Sequence, residues 1–333
     1  MDQVYPLRID AYAHIVPPKY KELFSKIVPG ECERKITPFP ALWNLEERFR
    51  IMDRYGELTQ VITLGWPPIE EIADPVKAVE LARIANDEIA ELVYKYPGRF
   101  IAGIAHLPMN NMEAALKELD RAIVDLRLRG VQIYSPVNDK PLDSPEFWPL
   151  YEKMEQYDLP VFIHPMRSGP DYRTENTSKY MISSVFGWPY ETTVAMTRLV
   201  FSGVLEMHPN LKIITHHGGG MIPYFIDRLV EFMDQSEMRA YEKRRLTKAP
   251  IEYFKRFYAD TAIYGNTPAL MCAYAFFGAD RLVFGIDMPL GDSTLGYRNY
   301  RQTINAIGAM PITDEDKKKI FEDNARKLMR LPI

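Results

Sequence analysis

Short apolar runs rich in Val, Ile and Leu recur along the chain at 7–13, 60–64, 100–105, 130–134, 160–163, 211–215, 257–259 and 282–286. Each is nearly continuous in hydrophobic character, the pattern of strands covered on both faces of a parallel sheet. Between them, apolar residues fall at 3.6-residue spacing, which predicts helices over 45–55, 75–96, 112–129, 145–157, 190–207, 221–234, 267–277 and 313–329. Several stop at glycine or proline: Gly56, Pro97-Gly98 and Gly130. Eight strands alternating with helices predict an α/β fold, a (β/α)8 TIM barrel occupying 1–333 as a single domain. A doubly wound open sheet also alternates, but no glycine-rich dinucleotide fingerprint follows the first strand.

Three connections, 17–43, 166–189 and 235–253, exceed ordinary loop length. The first two follow strands one and five and are read as insertions at the catalytic face. With 47% hydrophobic and 26% charged residues the chain can bury a core, which excludes a disordered protein. A net charge of −4 supplies no field for nucleic acid or an anionic membrane, so neither is an expected partner. The opening MDQVYPLRID is too charged for a secretory signal, and Cys32 and Cys272 suit a reduced compartment, so a cytoplasmic location is expected. The basic stretch 239–248 reads as an exposed helix serving self-association, and a homodimer or homotetramer is expected.

In a barrel of this kind the chemistry lies at the carboxyl ends of the strands. Tyr12 and His14 close strand one, His106 follows strand three, His164 strand five, His216 and His217 strand six, Asp260 strand seven, and Asp287 ends strand eight. Five of the 6 histidines thus face one rim, with His208 the exception. Imidazoles and a carboxylate converging from separate strands form a shell for a divalent metal, zinc first and manganese as the alternative. His14, His164 and Asp287 are named first as ligands. Asp260 is a candidate for orienting a histidine from behind.

Neighbouring residues at a strand end point in opposite directions, so one of His216 and His217 is expected to face the centre and serve as general acid or base. Gly218, Gly219 and Gly220 permit close backbone approach and expose amides suited to an anion, or serve only a sharp turn.

These residues resemble the amidohydrolase superfamily, in the branch containing aminocarboxymuconate-semialdehyde decarboxylase and related aromatic-acid decarboxylases. The resemblance runs nearly end to end. It is carried by Arg8-Ile9-Asp10-Ala11-Tyr12-Ala13-His14, Ala41-Leu42-Trp43, Val161-Phe162-Ile163-His164-Pro165, Glu191-Thr192 through Phe201-Ser202-Gly203, His217-Gly218-Gly219-Gly220, and Phe284-Gly285-Ile286-Asp287-Met288-Pro289. It implies that His14, His164 and Asp287 are metal ligands and that His217 is the catalytic histidine, with Asp287 as ligand or second proton relay; His216, its neighbour, is then expected to stand behind the site.

Where that branch has His-x-His or Glu-x-His, this chain has Tyr12-x-His14. Tyr12 coordinates the metal, hydrogen-bonds a metal-bound water, or fills space. His106, Arg167, Tyr180 and Trp188 are the candidates for holding a planar carboxylic acid, with Tyr172, Lys179, Arg34, Arg173 and Arg239 as further loop residues. The resemblance implies a metal-dependent non-oxidative decarboxylase of an aromatic or unsaturated acid. A hydrolase using metal-activated water and a non-catalytic acid-binding barrel are the rivals.

Overall fold

The computed structural model describes residues 7–65, 67–166, 179–235, 246–290 and 296–331. The strands are β1 (Arg8–Ile15), β2 (Leu58–Leu64), β3 (Phe100–Gly103), β4 (Ala105–His106), β5 (Val131–Ser135), β6 (Pro160–Pro165), β7 (Lys212–Thr215), β8 (Tyr258–Asp260) and β9 (Leu282–Val283). Every pairing between them is parallel. β3 and β4 are two halves of one barrel strand: at their junction Ile104 N donates to Ile62 O on one side and Ala105 N to Gly130 O on the other, both at 2.9 Å. Beyond β9 the chain runs back to β1, where Ala11 N donates to Phe284 O at 2.8 Å and His14 N to Met288 O at 2.7 Å. Ala13 and Met288 form a parallel bridge there. Eight strands therefore close on themselves, as the hydrophobic pattern predicts.

The barrel interior is filled by Ile9, Ala11, Val61, Ala102, Ile104, Phe162, Ile214 and Val283, joined by Leu328 and Met329 from the last helix, Asn324–Met329. Full burial of each large aliphatic side chain contributes about 1.5–3 kcal/mol. The floor is therefore a solid apolar plug, and polar side chains collect above it.

Outside, helix Pro75–Lys95 buries Ala78, Leu81, Ala82, Ala85 and Ile89, one stripe at helical spacing. Asp74 caps it by accepting from Val76 N and Lys77 N.

The structure departs from the sequence expectations in several elements. The 17–43 connection is three helices, Pro18–Ile27, Pro29–Lys35 and Pro40–Trp43, each opening on a proline whose missing N–H costs nothing there. The 190–207 helix is Trp188–Phe201 followed by Val204–Met207, broken where Gly203 turns left-handed at φ 85°. A further helix, Tyr297–Gly308, follows strand eight. Its buried face carries Asn299, Tyr300 and Thr303 as well as Ala306 and Ile307. No helix among the described residues is long and apolar enough to cross a membrane.

Candidate active site at the carboxyl rim

His14 and His164 lie at the ends of β1 and β6, His216 directly follows β7, and Asp287 lies four residues beyond β9. One ligand atom from each falls within 4.8 Å of all the others, and all four residues are buried. His164 Nδ1 donates to Pro165 O at 2.8 Å, and His216 Nδ1 donates to the Asp260 carboxylate. Each of these bonds makes Nδ1 the outward donor and turns Nε2 toward the site. His14 Nδ1 shares a proton with the Thr63 hydroxyl at 2.8 Å.

Asp287 Oδ1 lies 3.0 Å from His14 Nε2 and 3.4 Å from His216 Nε2. None of these three buried atoms has a hydrogen-bond partner. Burial raises the Asp287 carboxyl, but His216 and His14 outweigh it and hold it well below the usual carboxylate range. Burial likewise lowers His216, yet Asp260 and Asp287 on its two sides raise it to about 10. Two carboxylates that hold a proton so firmly between them suit a divalent cation equally well. Three converging imidazoles and a carboxylate, with His14 Nε2, His216 Nε2 and Asp287 Oδ1 buried and orphaned, fit that group.

Asp287 and His217 both adopt left-handed backbone, φ 65° and 56°, uncommon for residues with a Cβ. The turn at His217 folds its ring over His216, with centroids 4.1 Å apart, so both histidines face the site. The expected alternation fails because the strand has ended. His216, placed behind the site from the sequence, presents Nε2 within the ligand group. His217 keeps Nδ1 unpartnered and lies nearly parallel to Trp188, centroids 6.1 Å apart. Burial, reinforced by His216, lowers it to about 3, so it is neutral.

Tyr12 stacks on His216 at 4.2 Å, its hydroxyl buried and unpartnered. Burial, then Asp260, Tyr134 and Asp287, raise its pKa well above the ordinary phenol value.

Asp260 Oδ2 takes the His216 proton while Oδ1 accepts from Gly218 N and Ala262 N, both at 3.1 Å. The glycine amides expected to hold an anion are thus engaged: Gly219 N donates to His216 O, Gly220 N to His217 O and Met221 N to Thr193 Oγ1. The glycines serve the turn. A Cβ on Gly219 would meet the Phe277 ring at 2.7 Å, and one on Gly220 would meet Pro189 O at 2.5 Å.

His106 is buried with Nε2 unpartnered, and burial lowers it to about 3. Its backbone N and O are both bonded by the Asn86 side chain, at 2.8 and 2.9 Å. Trp188 stands 6.3 Å from His164 between ring centroids. Tyr180 is 79% exposed on the surface. Arg34 is exposed and paired with Glu31. Arg167, Tyr172, Arg173 and Arg239 lie outside the described residues, as does the Lys179 side chain.

Sequence reading missed Tyr134, whose ring lies 5.2 Å from His164. Strand periodicity could have found it: β5 pairs with β6 so that Tyr134 is opposite His164 and shares its face. It also missed Arg48, fully buried, whose Nη1 donates to His14 O at 2.6 Å and to Ala41 O at 3.0 Å. An arginine on a short helix carries no such signal.

A closed parallel barrel with three imidazoles and a carboxylate at its carboxyl rim defines a metal-dependent barrel protein. The chain belongs to the amidohydrolase family, whose profile matches residues 9–331. It is 32% identical over 294 residues to gamma-resorcylate decarboxylase of Polaromonas, covering 86% of this chain and 87% of that one. It is 30% identical over 348 residues to 2-amino-3-carboxymuconate-6-semialdehyde decarboxylase of Dictyostelium discoideum, covering 98% and 92%. The crystal structure of 5-carboxyvanillate decarboxylase from Novosphingobium aromaticivorans, with manganese and 4-hydroxy-3-methoxy-5-nitrobenzoic acid, superposes with TM-score 0.86 at 26% identity, covering 99% and 97%.

Proposed function

We propose that this protein is a metal-dependent, non-oxidative decarboxylase of an aromatic carboxylic acid. The observation that carries the reading is the convergence of His14, His164, His216 and Asp287 at the barrel rim, in a chain similar over almost its whole length to aromatic-acid decarboxylases. His14, His164, His216 and Asp287 hold the ion. Imidazole donors suit zinc, and the related structure carries manganese. When bound, such an ion supplies positive charge beside the substrate's carboxylate.

The chain's own residues do the rest. Loss of CO2 leaves an electron pair on the ring carbon, which must gain one proton. His217, neutral and with Nδ1 uncommitted, is the group assigned to move that proton, and Asp287, ionised among its imidazoles, is a ligand and possible second relay. Tyr12 keeps its phenolic proton under burial and donates a hydrogen bond at the site in place of a ligating side chain. His106 and Trp188 border the substrate. Arg167 stays a candidate for gripping it.

A homodimer or homotetramer is part of the reading, supported by exposed Met181, Phe186, Tyr224 and Phe232. Purified protein supplied with zinc or manganese is incubated with hydroxybenzoates and muconates. Release of CO2 is expected. Incorporation of solvent oxygen without gas would overturn the decarboxylase in favour of a hydrolase.

A further inference from the structure

His14 Nε2 and Asp287 Oδ1 are 3.0 Å apart within the ligand cluster, so the backbone that carries the two residues sets its geometry. The ladder between those backbones runs out at this point. In a parallel pair each residue bonds two positions, two apart, on its neighbour. With His14 N on Met288 O, the next rung would run from Leu290 N to His14 O, but Leu290 N closes a turn on Asp287 O at 2.8 Å. Arg48, from helix Leu45–Met52, supplies the missing donor: its Nη1 donates to His14 O at 2.6 Å and to Ala41 O at 3.0 Å. His14 is thus held at three points, by Met288 at N, by Arg48 at O and by Thr63 at Nδ1.

Arg48 is itself fixed by a buried chain of hydrogen bonds that runs one way. Its Nε donates to Gln60 Oε1 at 2.7 Å, Gln60 Nε2 donates to the Tyr300 oxygen at 2.6 Å, and the Tyr300 hydroxyl donates to Asp10. All four side chains are 0% exposed. The cation dictates the direction. A guanidinium only donates, so Gln60 turns its oxygen to Arg48 and its amide N–H to Tyr300, which leaves the phenolic proton for the carboxylate. Asp10 also accepts from Tyr12 N and Ile286 N, so the chain returns to the backbone beside both His14 and Asp287. A buried cation and anion are a poor source of stability, since apolar side chains of similar size often serve as well. Here Arg48 Nη2 is also left without a partner. Such a network fixes geometry more than it adds stability.

We infer that Arg48, locked by the Gln60–Tyr300–Asp10 chain, is a positioning residue that holds His14 against Asp287 and thereby sets metal affinity. It acts through His14 and takes no part in bond breaking. The inference rests on the metal site of the proposed function.

The test measures manganese and zinc dissociation constants of the full chain by competition with a chromogenic chelator, beside thermal unfolding of the metal-free protein. Arg48→Met keeps the length and removes the charge and the donors. It should weaken binding of both metals roughly 10–100-fold, the range for losing a group that orients a ligand. Arg48→Lys keeps the charge and a donor and should recover part of that loss; a lysine no better than methionine would assign the effect to packing and overturn the role. Tyr300→Phe leaves Arg48 in place, breaks the chain to Asp10 and should weaken binding several-fold. It carries the test should Arg48→Met fail to fold. Asn86→Ala, which removes buried bonds to the His106 backbone and Glu118, controls for destabilisation alone and should keep the wild-type affinity. Affinities in Arg48→Met and Tyr300→Phe no weaker than in Asn86→Ala overturn the positioning role and leave the metal site standing. A wild type that binds neither metal sinks both. Carbon dioxide release from hydroxybenzoates is recorded separately: metal binding that depends on Arg48, without gas, sinks the decarboxylase and leaves the inference.

Discussion

His14 Nε2 stands 3.0 Å from Asp287 Oδ1, joining the first and last strands of the barrel where its sheet closes. The same seam is tied by Asp10, whose Oδ1 accepts from Tyr12 N at 3.2 Å and Ile286 N at 3.3 Å and whose other oxygen accepts from the Tyr300 hydroxyl. A cation held there would link β1 to strand eight, which makes metal binding a matter of stability as well as chemistry.

Metal removal should therefore destabilise the protein. A ligand at a hundred times its Kd adds about 2.7 kcal/mol to the native state. Thermal unfolding after chelation and after adding back zinc or manganese checks this, and His164→Ala should abolish the difference together with stoichiometric metal.

Asp260 orients His216, so Asp260→Asn should weaken metal binding roughly 10–100-fold. Asparagine keeps an oxygen for Gly218 N and Ala262 N, which spares the backbone. Competition against a chromogenic chelator reads the affinity. Unchanged affinity would show that Asp260 does not act through His216.

For His217, asparagine is the informative replacement because it tolerates the left-handed backbone there. His217→Asn should retain metal and fold while turnover falls by about 10²–10⁴-fold. Retained turnover would remove His217 from proton transfer.

Burial, with a smaller contribution from Glu71, pushes Glu70 up to about 8 from an ordinary 4.5. An acid whose folded pKa is raised contributes stability that is complete below pH 4.5 and lost as pH rises through 8, at roughly 1.4 kcal/mol per unit. The buried histidines His106 and His217, lowered to about 3, slope the other way below pH 6.5. Urea midpoints at pH 6.5 and 9 should therefore fall for the wild type and fall less for Glu70→Gln.

Asn86 satisfies both backbone groups of His106 and donates to Glu118 at 2.7 Å. Asn86→Ala should cost about 1–3 kcal/mol for each buried group left unpaired. Denaturant titration measures the loss, and metal content should stay unchanged.

Much of this protein is determined by local sequence. Continuous apolar runs mark the strands because a parallel sheet buries both faces, and the residues ending those runs mark the rim because every strand of the barrel points the same way. The meeting of His14, His164 and Asp287 at the rim was legible on that ground, as was the placing of Asp260 against a histidine. The rest belongs to tertiary structure. His216 is extended and stays in phase with Ile214 of the barrel interior, whereas His217 reaches the site only because the chain turns left-handed there once β7 has ended. The helix Tyr297–Gly308 is amphipathic, but only folding shows that its polar Asn299, Tyr300 and Thr303 face inward to reach Ile286 O, Asp10 and one another. Glu70 and Tyr20 read as ordinary helix residues until folding buries them, each with an oxygen unpaired. Burial and the partners a side chain meets are properties of the assembled barrel, and they decide which polar residues carry chemistry.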